Sequence, residues 1–368
     1  MKILVAPLDW GLGHATRTIP VIREFLARGA TVDLAVSGSI SALYRGEFPD
    51  LTQIPVPGYG IRYPNRGFEM PFWLLKNYRR ILRTIRGEHL LADRLAREQE
   101  YDLIFSDNRF GFYSKHAKSV YMTHQMRIAF PGPFSVFEDI GIAWHRKMME
   151  NFDEVWVPDD AKAPGLGGRL SHVEPSRLKL SKPVKFVGPL SRFGEFCRID
   201  APQDFVQNKF HFLAILSGPE PMRSLFEKKV FETLSRIPGR HAVILGKPAE
   251  KKTNGTWANL EIFNHLETED FGRMVRNADV ILSHPGYSTV MDMAVLGAKC
   301  VFVPTPGQTE QELLGRELFR AGYSGLLKQN ELTPVNLCEM EKHANIMRKI
   351  FRSQNPLSSA VDPLFKEN

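Results

Sequence analysis

The chain has 368 residues, too long for one ordinary core and suited to two domains. Its hydrophobic and charged fractions, 43% and 24%, are ordinary globular values and exclude disorder over most of the chain. A formal net charge of +7 suits an anionic ligand or membrane surface; with no arginine-rich arm, zinc-finger spacing or RNA-binding aromatic signature, nucleic acid is not an expected partner.

The chain opens on MKILVA, read as a buried strand at 2–6, and runs at once into Pro7 and Asp9. A signal peptide needs a longer apolar core, and no apolar run reaches the ~20 residues of a spanning helix. The expected location is the cytoplasm. Further strands are read at 31–36, 102–106, 119–123 and 154–158, then at 211–217, 241–246, 260–263, 279–283 and 300–304. These runs are rich in Val, Ile and Leu without clean alternation, as in parallel strands buried on both faces. Helical segments between them imply doubly wound sheets. The pattern restarts near residue 211, after a breaker-rich stretch that includes Gly188-Pro189 and Pro202. The expected architecture is therefore α/β, with two Rossmann-like domains at 1–188 and 189–345 facing a central cleft. A C-terminal segment, 346–368, is expected to pack back on the first domain. Ligands of such sheets bind beyond the carboxyl ends of the strands, so the chemistry should lie on the loops there.

The first such loop runs Pro7-Leu-Asp-Trp-Gly-Leu-Gly-His-Ala-Thr-Arg17, before a helix marked by Ile19, Ile22, Phe25 and Leu26. Gly11 and Gly13 allow close backbone approach, but Thr16 stands at the third glycine position of the dinucleotide fingerprint. His14 at the mouth can take a proton from a hydroxyl near neutral pH, or merely cap the turn. Arg17, one turn on, faces the same site or solvent. Asp107 and Asn108 follow strand 102–106, and His124 follows strand 119–123. Asp107 would orient His14 or act as a base itself. Gly11, Gly13, Arg17, Asn108 and His124 are the acceptor-side candidates.

In the second half, Ser283-His-Pro-Gly-Tyr-Ser-Thr289 precedes an apolar helix. Gly286 permits the turn, and Ser288 and Thr289 can cap the helix and offer donors to a phosphate. Asp292, read on the first turn, would accept ribose hydroxyls or serve as a capping-box carboxylate. Gln308, Glu310 and Gln311 follow strand 300–304 and can bond sugar hydroxyls or begin a solvated helix. Ser217-Gly218 ends strand 211–217, with Arg223 a charge partner for phosphates, and His265-Leu266 follows strand 260–263. All of these carry a surface-loop alternative. Cys197, Cys300 and Cys338 are too far apart for a disulfide frame or zinc site, and Cys300 reads as core. No Asp-x-Asp and no histidine pair with ligand spacing occurs, so no metal site and no cofactor are expected.

With these residues in place, the chain resembles the GT-B glycosyltransferases, nearest to the MurG-like family related to the peptidoglycan N-acetylglucosaminyltransferase. The likeness rests on Gly11-Leu-Gly-His14, on Val187-Gly-Pro-Leu-Ser-Arg192 and on the block 279–311. It implies that His14 activates the acceptor and that Arg192 lies near the donor pyrophosphate. It also implies that Asp292, where the family has Glu, reads the ribose, and that Gln311 contacts the donor sugar. The usual second glutamine is Glu312 here. The donor implied is a nucleoside-diphosphate sugar, most simply a UDP-sugar, and the chemistry a metal-independent, inverting transfer to an acceptor hydroxyl. A nucleotide-sugar 2-epimerase and a non-catalytic nucleotide-sugar-binding protein are the alternatives.

Residues 72–86, FWLLKNYRRILRTIR in the chain, combine a stripe of Leu74, Tyr78, Ile81, Leu82 and Ile85 with Lys76, Arg79, Arg80, Arg83 and Arg86, with Phe68, Phe72 and Trp73 at the start. This is the pattern of an interfacial helix on anionic lipid through 68–86, or of a helix packed on its own sheet with a solvated basic face. The resembled family includes enzymes at the inner face of the membrane with lipid-linked acceptors, which makes such an acceptor one expectation.

Overall fold

The structure is a computed structural model and describes residues 1–9, 12–58, 70–127, 138–194, 209–218, 220–247, 255–346 and 356–366. It divides into two compact units, with the boundary between Ser191 and Arg192 and the C-terminal helix belonging to the first.

The first unit runs β1 (Lys2–Pro7), α1 (Leu12–Ala27), β2 (Thr31–Val36), α2 (Gly38–Glu47), β3 (Thr52–Pro55) and α3 (Met70–Gln99). It continues through β4 (Leu103–Asp107), β5 (Lys118–Met122), α4 (Glu138–Met149), β6 (Glu154–Val157), α5 (Pro175–Leu178) and β7 (Val184–Phe186). The seven strands pair in parallel in the order β3-β2-β1-β4-β5-β6-β7. The strand order reverses between β1 and β4, whose carboxyl ends lie side by side with Pro7 opposite Asp107. A crevice at that position is where open α/β sheets take ligands.

The second unit runs β8 (Phe210–Ile215), α6 (Met222–Leu234), β9 (His241–Ile244), β10 (Gly255–Trp257), β11 (Leu260–Phe263), α7 (Thr268–Arg276) and β12 (Ala278–Ser283). It continues through α8 (Tyr287–Leu296), β13 (Cys300–Phe302), α9 (Thr309–Arg320), β14 (Ser324–Leu326) and α10 (Pro334–Glu341). Its order is β10-β11-β9-β8-β12-β13-β14, parallel except for β10 against β11. Here the reversal falls between β8 and β12, with Ser283 opposite Ile215 at the carboxyl ends.

The ten apolar runs read from the sequence are all strands, within one or two residues at either end. Central strands such as β1 and β4 are buried along nearly their whole length, which is why they read as continuous apolar runs. The four strands not read are short and lie at or near sheet edges. β3 and β7 are half-exposed, β10 is exposed throughout, and β14 is only Ser-Gly-Leu, so none carries an apolar signal. The basic stretch at 72–86 proves to be the first half of a 30-residue helix, α3.

The helix that will matter most is α1. Ala15, Ile19, Ile22 and Phe25 form its buried face, and Gly29, at φ +76°, ends it. α2 covers it through Tyr44, whose hydroxyl donates to Ala15 O at 3.1 Å. The final helix, α11 (Pro356–Lys366), sends Leu357, Ala360, Val361 and Leu364 into the same cluster. Its polar edge is tied to α1 by Arg28 with Asp362 and by Ser358 donating to Glu24. Leu364→Ala is expected to lower stability by about 2–4 kcal/mol, read as a lower urea midpoint at unchanged slope. A change under half a kcal/mol would mean that α11 is not part of this core.

Candidate active site

The first site is built where β1, β4 and β5 end. α1 begins at Leu12, so Gly13 and His14 belong to its first turn rather than to a loop, and Gly11 lies outside the described residues. The last residue of β4, Asp107, is fully buried. One α-helical turn separates His14 from Arg17, which puts both side chains on the face towards Asp107.

Arg17 is 2% exposed, which overturns the solvated reading of this residue and leaves little of it to contact an acceptor. Its Nε donates to Asp107 Oδ2 at 2.8 Å and its Nη2 to Asp107 Oδ1, a bidentate pair. Nη1 donates to His124 Nδ1 at 2.5 Å, and Nη2 lies 2.8 Å from His14 Nδ1. Asp107 Oδ2 is 3.3 Å from the same His14 nitrogen. Burial alone would raise the Asp107 pKa, but the charges and bonds of Arg17 and His14 outweigh it and hold the carboxyl down at about 2. A buried carboxylate with this affinity for its proton is a poor base. In this geometry Asp107 is bonded to Arg17 and lies beside His14, the arrangement of an orienting carboxylate. His14, at 13% exposure, is the member of the cluster that opens outward.

The surrounding shell is rigid. Thr18 Oγ1 bonds the Tyr44 hydroxyl, and burial pushes the Tyr44 phenol far up, so it stays neutral. Asn108 takes a left-handed backbone at φ +57°, and its Oδ1 accepts from the Tyr121 hydroxyl at 3.0 Å. His145, lowered to about 4 by burial, lies 3.2 Å from that hydroxyl through Nε2. Asn108 is therefore held by the core. Arg109, not singled out from the sequence, is fully buried: Nε donates to Glu88 Oε1 at 2.7 Å and Nη2 to Pro57 O at 2.6 Å. It ties α3 and the chain after β3 to the end of β4. Its position directly after Asp107-Asn108 was the available signal.

The second site is on the second unit, at the ends of β8, β12 and β13. The N-cap of α8 is Gly286, not Ser288 or Thr289, and no side chain caps it. Ser288 and Thr289 occupy the second and third helical positions, in the first turn of α8. Asp292 therefore falls on the second turn, 8% exposed, and a capping box is excluded because the third position is Thr289. His284 was missed by sequence reasoning although it follows β12 directly. It stacks on Phe226 at 4.1 Å and bonds Val303 O through Nδ1 at 2.5 Å, and burial lowers its pKa to about 4. Its Nε2 and the Ser283 Oγ are buried without a partner among the described residues. A neutral histidine with an unfilled Nε2 beside a helix N-terminus is suited to an incoming oxygen ligand.

Gln308 is the N-cap of α9, with Glu310 in its first turn. Gln311 Oε1 accepts from Thr305 N at 2.7 Å and Glu312 Oε1 from Gly307 N at 3.0 Å, so both fold the loop after β13. Ser217 and Gly218, at φ +104°, are exposed after β8. His265 and Leu266 are half-buried after β11, held by Asn264, whose Nδ2 donates to Lys247 O at 3.1 Å. Arg192 lies 4.9 Å from Phe193 and 5.1 Å from Phe271 and donates to Thr268 Oγ1 at 3.4 Å. Arg223 is corrected: it is 5% exposed and bonded to Glu220, Glu227 and Leu245 O, so its charge is already spent on two carboxylates.

Residues 231–357 match the glycosyltransferase family 28 C-terminal domain. The chain is a glycosyltransferase. The enzyme is 22% identical over 342 residues to an uncharacterized glycosyltransferase of Methanosarcina acetivorans, covering 89% of this chain and 86% of that one. Over 74 residues, 20% of this chain and 21% of the other, it is 39% identical to the UDP-N-acetylglucosamine–N-acetylmuramyl-(pentapeptide) pyrophosphoryl-undecaprenol N-acetylglucosamine transferase of Verminephrobacter eiseniae. Its fold is shared with CalG4, the calicheamicin glycosyltransferase, at TM-score 0.64, 14% identity and 99% and 97% coverage of the two chains. The same holds for Arabidopsis thaliana UGT89C1 complexed with UDP-L-rhamnose, at TM-score 0.59, 14% identity and 99% and 98% coverage. The two doubly wound units are thus those of the GT-B glycosyltransferases.

The depressed Asp107 pKa gives the enzyme an acid limit. A carboxyl at about 2 folded and near 3.9 unfolded contributes stability in full above about pH 4 and loses it as pH falls through about 2. The contribution is about 2 kcal/mol. Urea unfolding between pH 2 and 6 is expected to show this loss in the wild type and not in Asp107→Asn; equal pH slopes would contradict the pairing.

Proposed function

We propose that the enzyme transfers a sugar from a nucleoside-diphosphate sugar, in the first instance a UDP-sugar, to an acceptor hydroxyl, with inversion and without a metal ion. The observation that carries the reading is the outward-facing His14 braced by a buried carboxylate on one unit, in a chain whose other unit is a family 28 domain. His14 Nε2 takes the proton of the acceptor hydroxyl as its oxygen bonds the anomeric carbon. The bond from that carbon to the diphosphate breaks, and its electron pair leaves with the diphosphate. Charge growing there is met by the first-turn N–H groups of α8, by the Ser288 and Thr289 hydroxyls and by His284. Asp292 bonds the ribose hydroxyls, and Gln308, Glu310 and Gln311 lie towards the sugar.

The UDP donor is supported by the donor named for the Verminephrobacter eiseniae enzyme and by the ligand of UGT89C1. The former also supports a MurG-like assignment and a lipid-linked acceptor. Incubation with a panel of nucleotide sugars and candidate acceptors should give transfer only with acceptor present. His14→Ala should lower the rate about 100-fold or more. Isomerisation of the donor alone would instead identify an epimerase, and a wild-type rate in His14→Ala would remove it from the chemistry.

We place the enzyme in the cytoplasm, at the inner membrane face where a lipid-linked acceptor would be met. Lys76, Arg79, Arg80, Arg83 and Arg86 of α3 are all exposed, with Ile81, Leu82 and Ile85 half-buried and Tyr78 at 47% exposure. No helix among the described residues is long and apolar enough to cross a membrane. At about 1 kcal/mol per basic residue, replacing Arg79, Arg83 and Arg86 by Gln should weaken sedimentation with anionic vesicles about 100-fold. No binding of the wild type to anionic vesicles at low salt would end the membrane assignment.

A further inference from the structure

The Nδ1 of a neutral imidazole is either a donor or an acceptor. At His14 two groups compete for it. Arg17 Nη2–H lies 2.8 Å away and can bond only a lone pair; Asp107 Oδ2 lies 3.3 Å away and can bond only a proton. Arg17 also grips both carboxylate oxygens of Asp107, and its remaining edge donates to His124 Nδ1. With the guanidinium nearer the ring, the resting imidazole carries its proton on Nε2.

We infer that Arg17 is a positioning residue of this site, one that occupies Nδ1 of His14 and, by sharing Asp107, disfavours an imidazolium–carboxylate pair in the resting enzyme, before the acceptor proton arrives. The inference rests on the reading of His14 as acceptor base and adds what makes it usable as one. A histidine beside a buried carboxylate alone would be driven to the protonated form, which has no lone pair to offer. The fixed cation of Arg17 opposes that second proton. The ring stays neutral, and its single proton can stand on Nε2 or move to Nδ1, where Asp107 Oδ2 is already within reach. In the second form the Nε2 lone pair is presented to the acceptor hydroxyl.

Among the described residues, the charged and titratable groups shown facing His14 come from three elements. Arg17 comes from its own helix, Asp107 from β4 and His124 from the turn after β5. Tyr44 of α2 and Tyr121 of β5 stand behind them and remain neutral, since burial raises both phenols. No exposed ion pair is involved, so salt should have little effect on the balance.

The test is the titration of His14 by nitrogen-15 imidazole NMR, with the signal assigned by its loss in His14→Gln. The wild type is expected to show the Nε2–H tautomer near neutral pH, with Nδ1 as an acceptor. In Arg17→Met the His14 pKa should rise by about one unit or more, and in Arg17→Met/Asp107→Asn it should return towards that of an ordinary histidine. The acid limb of kcat/KM for transfer should move up with it in Arg17→Met, while KM for the donor stays within about twofold. A wild-type Nδ1–H tautomer would overturn the inference without recourse to any variant. So would an unshifted His14 pKa in a folded Arg17→Met, with activity lowered equally at all pH values. Because the NMR readout does not need a substrate, failure to find any transfer would count against the proposed function alone.

Discussion

The first unit is organised around one electrostatic constraint. Asp107 is carried into complete burial by β4, whose residues are buried along its whole length. An unpaired carboxylate there would cost several kcal/mol, and the unit meets that cost with a bidentate arginine from the adjacent helix. The helix must then start where it does, so that Arg17 faces inward and His14, one turn earlier, sits at the rim. The packing of α2 and α11 on α1 fixes the same helix from its other faces. The His14–Arg17–Asp107 cluster is thus held by a helix and a strand rather than by a loop.

The second unit reaches a comparable result by different means. It too has its candidate site where the strand order reverses, with Ser288 and Thr289 at the start of α8 and the buried Ser283 and His284 after β12. α8 begins at Gly286, which no side chain caps, and carries Ser288 and Thr289 in its first turn. Beside them, His284 is kept neutral by burial and the Ser283 hydroxyl has no partner among the described residues. The glutamine and glutamate of α9 serve to fold the loop after β13.

Much of this was legible in the chain. Strands buried on both faces announce themselves as apolar runs, and all ten that were read are present. Edge strands such as β10, with every residue exposed, carry no such signal. Loops after strands pointed to His14, Asp107, His124 and the 283–311 block, because topology alone assigns chemistry to the carboxyl ends of a parallel sheet. Partnership was not legible. Nothing in the spacing told Arg17, locked to Asp107, from a solvated arginine, or Arg223, spent on Glu220 and Glu227, from a phosphate ligand. Both depend on long side chains finding buried acceptors, which periodicity does not encode. The start of α8 was misjudged for a related reason: Ser288 and Thr289 are good caps, but Pro285-Gly286 turns the chain earlier and Gly286 takes the position.

In the proposed reaction the acceptor loses its proton to His14 while the leaving diphosphate rests on α8. A crystal structure with a non-hydrolysable phosphonate analogue of the donor and a bound acceptor tests it most directly. The account predicts the acceptor oxygen at about 3 Å from His14 Nε2 and the diphosphate oxygens on the N–H groups of Ser288 and Thr289. An acceptor oxygen held by a different side chain, or a diphosphate bound away from the start of α8, would contradict it.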